Sequence, residues 1–294
     1  MVKKLKSVVK LIRPHHYIKN LFIFLPLFFV GQITNPQLFT NALIAFIAFS
    51  MSASAVYILN DFLDIEVDRL HPEKKHRPLA SGLISKKEAF LLIAVFSVAG
   101  ISLIATQSLQ ALIVLLTYIT LNIGYCFFLK HIAIIDITII AIGFVLRLFV
   151  GSFATEIPLS KWIVLMTFLL ALFLALAKRR DDVLHFMNTG KKMRKVIDGY
   201  NLQFIDGAMM ILSSVVIVSY ILYTTSLEVT QRIQSEFMYL TSLFVILGIL
   251  RYLQISFVEN NSGSPIKIMI KDKFIIITIL AWASSFVYLI YFND

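Results

Sequence analysis

Long apolar stretches alternate with short charged stretches along almost the whole chain. Nine of them are long and apolar enough to predict membrane-spanning helices, and they cover residues 20–34, 38–60, 89–105, 109–128, 132–152, 162–178, 207–227, 237–254 and 274–292. The longest polar stretch, residues 178–206, is too short to be an inserted soluble domain, so we predict a single domain over residues 1–294. The pattern therefore predicts an all-α, polytopic membrane protein with about nine transmembrane helices.

Composition supports this class. Hydrophobic residues make up 59% of the chain and charged residues only 15%, which excludes an ordinary soluble domain. The one cysteine, Cys126, lies in an apolar stretch; it excludes an intrachain disulfide and offers no metal-binding pattern.

The distribution of positive charge predicts the orientation. If the N-terminus is inside, 24 of the 27 Lys and Arg residues fall in cytoplasmic segments. Lys161 and Arg232 fall outside, and Arg147 falls within a span. We expect a cell (inner) membrane protein with a cytoplasmic N-terminus and, after nine spans, a C-terminus outside. The net charge of +10 needs no nucleic acid to explain it.

The most distinctive polar stretch is YILNDFLDIEVDRLHPEKKHRPLASG, residues 57–82. If the preceding helix continues, Asp61, Asp64 and Asp68 share one of its faces. Three such carboxylates repel one another unless hard cations lie among them, and Mg²⁺ binds carboxylates together with substrate phosphates. The basic residues that follow, including Lys74 and Arg77, are suited to the same phosphates. The alternative is a solvated, charged loop between two apolar helices.

The motif NDxxDxxxD, followed by a basic residue and RPxxSG, resembles the first acidic signature of the UbiA superfamily of membrane transferases. This resemblance implies a helical bundle around a central cavity that opens to the cytoplasmic side, where the active site lies. It also implies that Asp61, Asp64 and Asp68 are catalytic Mg²⁺ ligands, and that Asn60, Lys74 and Arg77 bind substrate.

Two further stretches carry candidate substrate-binding residues. RPHHYIKN, residues 13–20, is either an interfacial anchor or a substrate-binding segment through Lys19 and Asn20. By the superfamily resemblance, Tyr125, Lys130 and Asp136 face the same cavity as the acidic motif. For Lys130 the alternative is a lysine at a helix end that extends toward the membrane surface.

Arg147 stands out because it lies near mid-membrane, about 16 Å beyond Asp136 at 1.5 Å per residue. An arginine there costs at least about 2.5–3.5 kcal/mol by insertion scales, so it needs a partner. That partner is a carboxylate, cavity water or a substrate phosphate. We predict a substrate-binding role, with a structural ion pair as the alternative.

The segment ALAKRRDDV closes the sixth predicted span and contributes Lys178, Arg179, Arg180, Asp181 and Asp182. The simple interpretation is a stop-transfer cluster. In the superfamily, a second acidic motif for a second metal ion occupies this position. The resemblance thus implies that Asp181 and Asp182 are catalytic, that Asp182 binds metal, and that the three cations bind substrate. The adjacent acids depart from the usual DxxxD spacing, which disfavours a prenyl-diphosphate donor.

Other segments point to one branch of the superfamily: RPxxxxKN, GFVLRLFVG, ALAKRRDDV, GYNLQF and SYILYTTS. Resemblance to that branch implies transfer of 5-phosphoribose from phosphoribosyl pyrophosphate to a polyprenyl phosphate lipid, with release of pyrophosphate. The many basic residues suit a reaction with three phosphate-bearing groups. One alternative is a prenyltransferase that acts on an aromatic acceptor. Another is a transporter or lipid-binding protein without catalytic activity. The sequence leaves the oligomeric state open.

Overall fold

The computed structural model describes residues 2–70, 74–192, 194–263 and 265–291. Residues 71–73 of the acidic stretch and residue 292 of the last predicted span lie outside the described residues. In the described part the chain is helical, with no strand. Its α-helices are α1 Val2–Ile12, α2 Leu25–Phe29, α3 Pro36–Leu63, α4 Ile65–Leu70, α5 Lys86–Ala105, α6 Leu109–Phe127, α7 Ile135–Thr155, α8 Lys161–Thr189, α9 Leu202–Thr225, α10 Leu227–Ile233, α11 Ser242–Phe257, α12 Pro265–Lys271 and α13 Lys273–Tyr291.

Eight helical segments within the described residues are long and apolar enough to cross a membrane. They are Pro36–Leu63, Lys86–Ala105, Leu109–Phe127, Ile135–Thr155, Lys161–Thr189, Leu202–Thr225, Glu236–Phe257 and Lys273–Ile290. These segments confirm the prediction of an all-α, polytopic membrane protein. The predicted span 20–34 is not among them: a 3₁₀ helix over Pro14–Phe24 leads into the short α2. The count of nine is therefore not confirmed.

Polar residues fix where the helices begin. The Asn35 side chain accepts hydrogen bonds from the backbone N–H groups of Gln37 and Leu38 at the start of α3. Ser85 and Glu88 form a reciprocal capping box at the start of α5. These caps satisfy N–H groups that the helix itself leaves unpaired.

The chain forms two compact units. The first comprises Met1–Lys130 and Gly143–Leu159. Its most buried span is α3. In the most apolar part of this helix 61% of the residues are buried, compared with 17% in α5. Alanine and serine recur on α3, and α5 packs closely against it where Gly100 meets Ser52.

The second unit comprises His131–Ile142 and Ser160–Asp294. Its core is built around α8 and α9, with Phe173, Leu176, Ile205 and Met209 among the buried residues. The helix α7 contributes residues 135–142 to this unit and residues 143–155 to the first. The single domain over 1–294 stays a prediction.

Gly151 on α7 provides a test of packing in the first unit. A Cβ atom there would overlap the carbonyl oxygen of Ile23 and lie 2.8 Å from its carbonyl carbon. We expect Gly151→Ala to lower the free energy of unfolding by about 1–3 kcal/mol, because the backbone must move. The matched control is Gly207→Ala on α9, where a Cβ atom meets nothing within 4 Å. Thermal unfolding of both variants in detergent measures the difference; equal melting temperatures would contradict this packing.

Candidate functional site

The acidic motif lies at a break between two helices. The helix α3 carries Asp61 and ends at Leu63, Asp64 is its C-terminal cap residue, and α4 carries Asp68. The sequence prediction assumed one continuous helix. The break leaves the three acids close in sequence but places them in different local environments.

Asp61 and Asp68 are buried and share one cation. Arg77 Nη1 lies 2.9 Å from Asp61 Oδ1 and 2.7 Å from Asp68 Oδ2. The basic loop that follows the acids thus folds back onto them. Burial raises the pKa of Asp68, although the Arg77 guanidinium opposes that shift.

Arg13 is a second cation at Asp61, and the sequence analysis did not identify it as a site residue. Its Nη2 atom lies 2.6 Å from Asp61 Oδ1. Arg13 has a left-handed backbone (φ 58°) directly before Pro14, a costly conformation for a non-glycine residue. Residues in such conformations concentrate at functional sites. The available signal was the RP dipeptide ahead of the first apolar stretch.

Asp64 faces a different partner. Lys130 Nζ lies 2.8 Å from Asp64 Oδ1, and the Asn60 amide donates a hydrogen bond of 3.1 Å to Asp64 Oδ2. The structure therefore brings together Lys130 and the first acidic motif, while the predicted substrate-binding role of Lys130 stays a prediction. Lys130 is bound to a carboxylate and does not simply extend toward the membrane surface.

The side chains of the first acidic motif suit a hard divalent cation, since the atoms that would bind it are carboxylate oxygens. A positive charge, Arg77 Nη1, already bridges Asp61 and Asp68. Within the described residues, however, no three acidic, histidine or cysteine side chains are gathered as a metal-binding group. The residue chemistry fits Mg²⁺, and cations of the protein occupy the carboxylates in this arrangement.

Three other predicted substrate-binding residues belong to the same unit. Lys19, Lys74 and Tyr125 are half-buried in the first unit. Their predicted substrate-binding roles stay predictions.

Arg147 is 4% exposed and has neutral partners. Its Nε donates to Asn20 Oδ1 at 2.7 Å, and its Nη1 donates to the Gly143 carbonyl oxygen at 2.6 Å. The guanidinium carbon lies 4.7 Å from the ring centre of Phe49 and 5.2 Å from that of Tyr118. No acidic side chain in the described residues pairs with Arg147. Hydrogen bonds and aromatic faces thus hold this charge, and the structural ion pair that we considered as an alternative is not present among these residues.

Arg147 makes its contacts through a planar guanidinium with several N–H donors, so a lysine should not replace it. We expect Arg147→Lys to lower the free energy of unfolding by about 1–3 kcal/mol, since Asn20 or the Gly143 carbonyl loses its donor in a buried site. Thermal unfolding in detergent measures this loss, with Lys161→Arg at the start of α8 as the control. An Arg147→Lys protein as stable as the parent would show that the buried contacts at this position do not depend on guanidinium geometry.

The second unit contains a buried network around Asp136. Its carboxylate is fully buried and accepts two hydrogen bonds of 2.6 Å, one from Arg179 Nε and one from the Tyr200 hydroxyl. Arg179 Nη1 then reaches Asp182 Oδ2 at 2.6 Å. Burial, and next the hydrogen bond to Asp136, raise the pKa of Tyr200. The network thus links α7 to α8 and to the loop before α9.

Sequence reasoning missed Tyr200 as a site residue. It lies in the segment GYNLQF, which carried the branch resemblance, but its role could not be assigned without a partner. Tyr200 also accepts a hydrogen bond of 2.7 Å from the Ile134 backbone N–H. This bond explains why a tyrosine, and not a phenylalanine, stands at this position.

Asp181 and Asp182 lie inside α8, which continues to Thr189 well beyond the predicted end of the span. Asp182 pairs with Arg179 and, at 3.5 Å, with Arg194. Asp181 packs against Gly263, where a Cβ atom would overlap its carboxylate. The catalytic roles predicted for Asp181 and Asp182, and metal binding by Asp182, stay predictions.

The three cations before these acids have different surroundings. Arg180 is buried: its Nε contacts Asp206 Oδ1 at 2.7 Å, and its Nη1 donates to the Ser256 carbonyl oxygen at 2.6 Å. Arg179 is buried in the Asp136 network, whereas Lys178 is exposed. Their predicted contact with substrate phosphate stays a prediction.

Comparison with known proteins identifies the family. The UbiA prenyltransferase family matches residues 20–277. The decaprenyl-phosphate phosphoribosyltransferase of Mycolicibacterium smegmatis is 32% identical over 98% of this chain and 93% of its own length. The Corynebacterium glutamicum protein of the same name is 31% identical over 97% of this chain and 87% of its own length. The structure of a UbiA homologue from Archaeoglobus fulgidus, bound to GPP and Mg²⁺, superposes with a TM-score of 0.72 at 20% identity over 96% of this chain and 99% of that one. This chain is an integral membrane enzyme of the prenyltransferase type and belongs to the UbiA prenyltransferase family.

Proposed function

We propose that this protein transfers 5-phosphoribose from phosphoribosyl pyrophosphate to a polyprenyl phosphate and releases pyrophosphate. The observation that carries the proposal is the acidic motif bound to its own cations: Asp61 and Asp68 with Arg77, and Asp64 with Lys130. Such a site holds carboxylates for a metal ion and basic groups for several phosphates. The similarity to two phosphoribosyltransferases over nearly the full chain supports this choice of donor.

Asp61, Asp64 and Asp68 are the residues that would hold Mg²⁺ at the first motif. When bound there, the ion neutralises charge on the diphosphate leaving group. Arg13, Arg77 and Lys130 supply positive charge beside these acids, and we propose that they bind donor phosphate oxygens. Asn60 orients the Asp64 carboxylate through its amide. Asp181 and Asp182 remain proposed catalytic residues, with Asp182 a proposed metal ligand.

The reaction needs no base to activate a carbon acid. The acceptor phosphate is already an anion, so its oxygen can attack the anomeric carbon as the bond to pyrophosphate breaks. The carbon becomes cationic on the way, and the fixed carboxylates favour such a transition state. We propose that Arg147 balances one substrate phosphate, since its described partners are all neutral.

We further propose that the N-terminus and the active site are cytoplasmic, because most Lys and Arg residues then lie inside. A water-soluble donor would reach the site from that side. The lipid tail of the acceptor would remain in the membrane.

Donor choice tests the proposal. Detergent-solubilised protein is incubated with Mg²⁺ and polyprenyl phosphate plus phosphoribosyl pyrophosphate, or with Mg²⁺ and an aromatic acceptor plus a prenyl diphosphate. We expect a lipid-extractable product only in the first mixture, and none with excess chelator. A product only in the second mixture would establish the prenyltransferase alternative.

A further inference from the structure

The amphipathic helix α1 presents three different faces. Ser7 and Leu11 are buried, and Leu11 packs into an apolar cluster with Ile58 and Ala89. Leu5 and Val9 are 66% and 48% exposed and lie one turn apart. One face of α1 is thus packed against the protein, whereas an apolar edge remains uncovered.

The packing partners place α1 at a membrane surface. Ile58 lies in the last turns of the span Pro36–Leu63, and Ala89 lies in the first turn of the span Lys86–Ala105. Lys4 also pairs with Glu88 at the start of that second span. The helix therefore lies across the ends of two spans, at the level where lipid headgroups begin.

Beside the exposed apolar edge runs a basic edge. Lys6 and Lys10 are exposed and four residues apart, so they also lie one turn from each other. Lys10 donates one hydrogen bond to the His76 carbonyl oxygen at 3.2 Å. An apolar edge next to a basic edge, on a helix outside the spans, is the pattern of helices that bind in the membrane interface.

We propose that α1 is an interfacial helix that binds anionic phospholipid. Leu5 and Val9 enter the boundary between headgroups and acyl chains, while Lys6 and Lys10 contact the anionic headgroups. Charge complementarity selects this occupant, since a neutral lipid surface or an apolar protein partner would leave both lysines without anions. The proposal does not depend on which reaction the enzyme catalyses.

A fluorophore on α1 tests the proposal in the full chain. Val9→Cys is labelled with an environment-sensitive dye; the parent, whose Cys126 is buried, is the labelling control. The labelled protein is placed in nanodiscs of zwitterionic lipid, with or without anionic lipid. Quenching by nitroxide on lipid chains is compared with quenching by aqueous acrylamide, a neutral molecule whose local concentration does not depend on surface charge. We expect anionic lipid to increase lipid-chain quenching and to reduce acrylamide quenching, and free inorganic phosphate to have no such effect.

Charge variants show whether the lysines are responsible. Lys6→Gln should weaken the binding of α1 to anionic nanodiscs by about fivefold, the change expected for one lysine near an anionic surface. The ratio of lipid-chain to acrylamide quenching should fall accordingly. Lys6→Arg should keep the ratio, and Lys267→Gln, at an exposed lysine of α12, is the matched control. Equal acrylamide quenching in both kinds of nanodisc, or an unchanged ratio in Lys6→Gln, would overturn the proposal. Protection from acrylamide that rises with protein concentration in detergent would instead assign the apolar edge to a second copy of the chain.

Discussion

Asp64→Asn should reduce transfer activity by more than about a hundredfold while the protein stays folded, because it removes one charged ligand from an electrostatic site. The free energy of unfolding of this variant should change little. The Asp64 side chain is 29% exposed, and a partly exposed pair such as the one with Lys130 contributes at most about 1 kcal/mol.

Steady-state kinetics and thermal unfolding, measured on the same preparation, check both parts of this prediction. Glu66→Gln on α4 is the matched control, since Glu66 is an exposed acid two residues away that pairs only with Arg69 in the described residues. It should keep full activity. Full activity in Asp64→Asn, or activity in excess chelator, would remove the basis of the proposed chemistry.

Arg179→Met should lower the free energy of unfolding by about 3–5 kcal/mol, because it leaves the fully buried Asp136 carboxylate without its cation. The double variant Arg179→Met/Asp136→Leu should recover much of that loss, since replacing both partners of a buried pair by apolar groups is often neutral. Arg194→Met, at a more exposed partner of Asp182, should cost no more than about 1 kcal/mol.

Thermal unfolding of the four proteins in detergent measures these differences. If Arg179→Met is as stable as Arg194→Met, the Asp136 network does not anchor the second unit. A stable Arg179→Met protein with a raised KM for a phosphate-bearing substrate would instead support the substrate-binding role predicted from the sequence.

Periodicity and composition were sufficient to predict the helices. Eight of the nine predicted spans correspond to long apolar helices, because a chain this apolar must pair its backbone groups within helices. The stretch 20–34 differs because Pro26 and Gly31 interrupt it, and the structure has a 3₁₀ helix and a short α-helix there. Hydropathy detects apolar length but not the type of helix.

The spacing of residues along the chain gave less information about which side chains pair with one another. It placed Asp61, Asp64 and Asp68 together but could not show that α3 ends at Leu63, which turns Asp64 toward Lys130. Long-range pairs such as Arg13 with Asp61 and Tyr200 with Asp136 join residues 48 and 64 positions apart. No local pattern encodes such contacts, so tertiary structure was needed to find them.

The most direct test of the proposed reaction follows two labels on one donor. Phosphoribosyl pyrophosphate carries ¹⁴C in the ribose and ³²P in the terminal phosphate of the diphosphate, and it is incubated with purified protein, polyprenyl phosphate and Mg²⁺. The account predicts that ¹⁴C moves into the organic phase as a lipid labile to mild acid, while an equal amount of ³²P is released as aqueous pyrophosphate. Both labels remaining in unreacted donor, or both entering the lipid together, would contradict it.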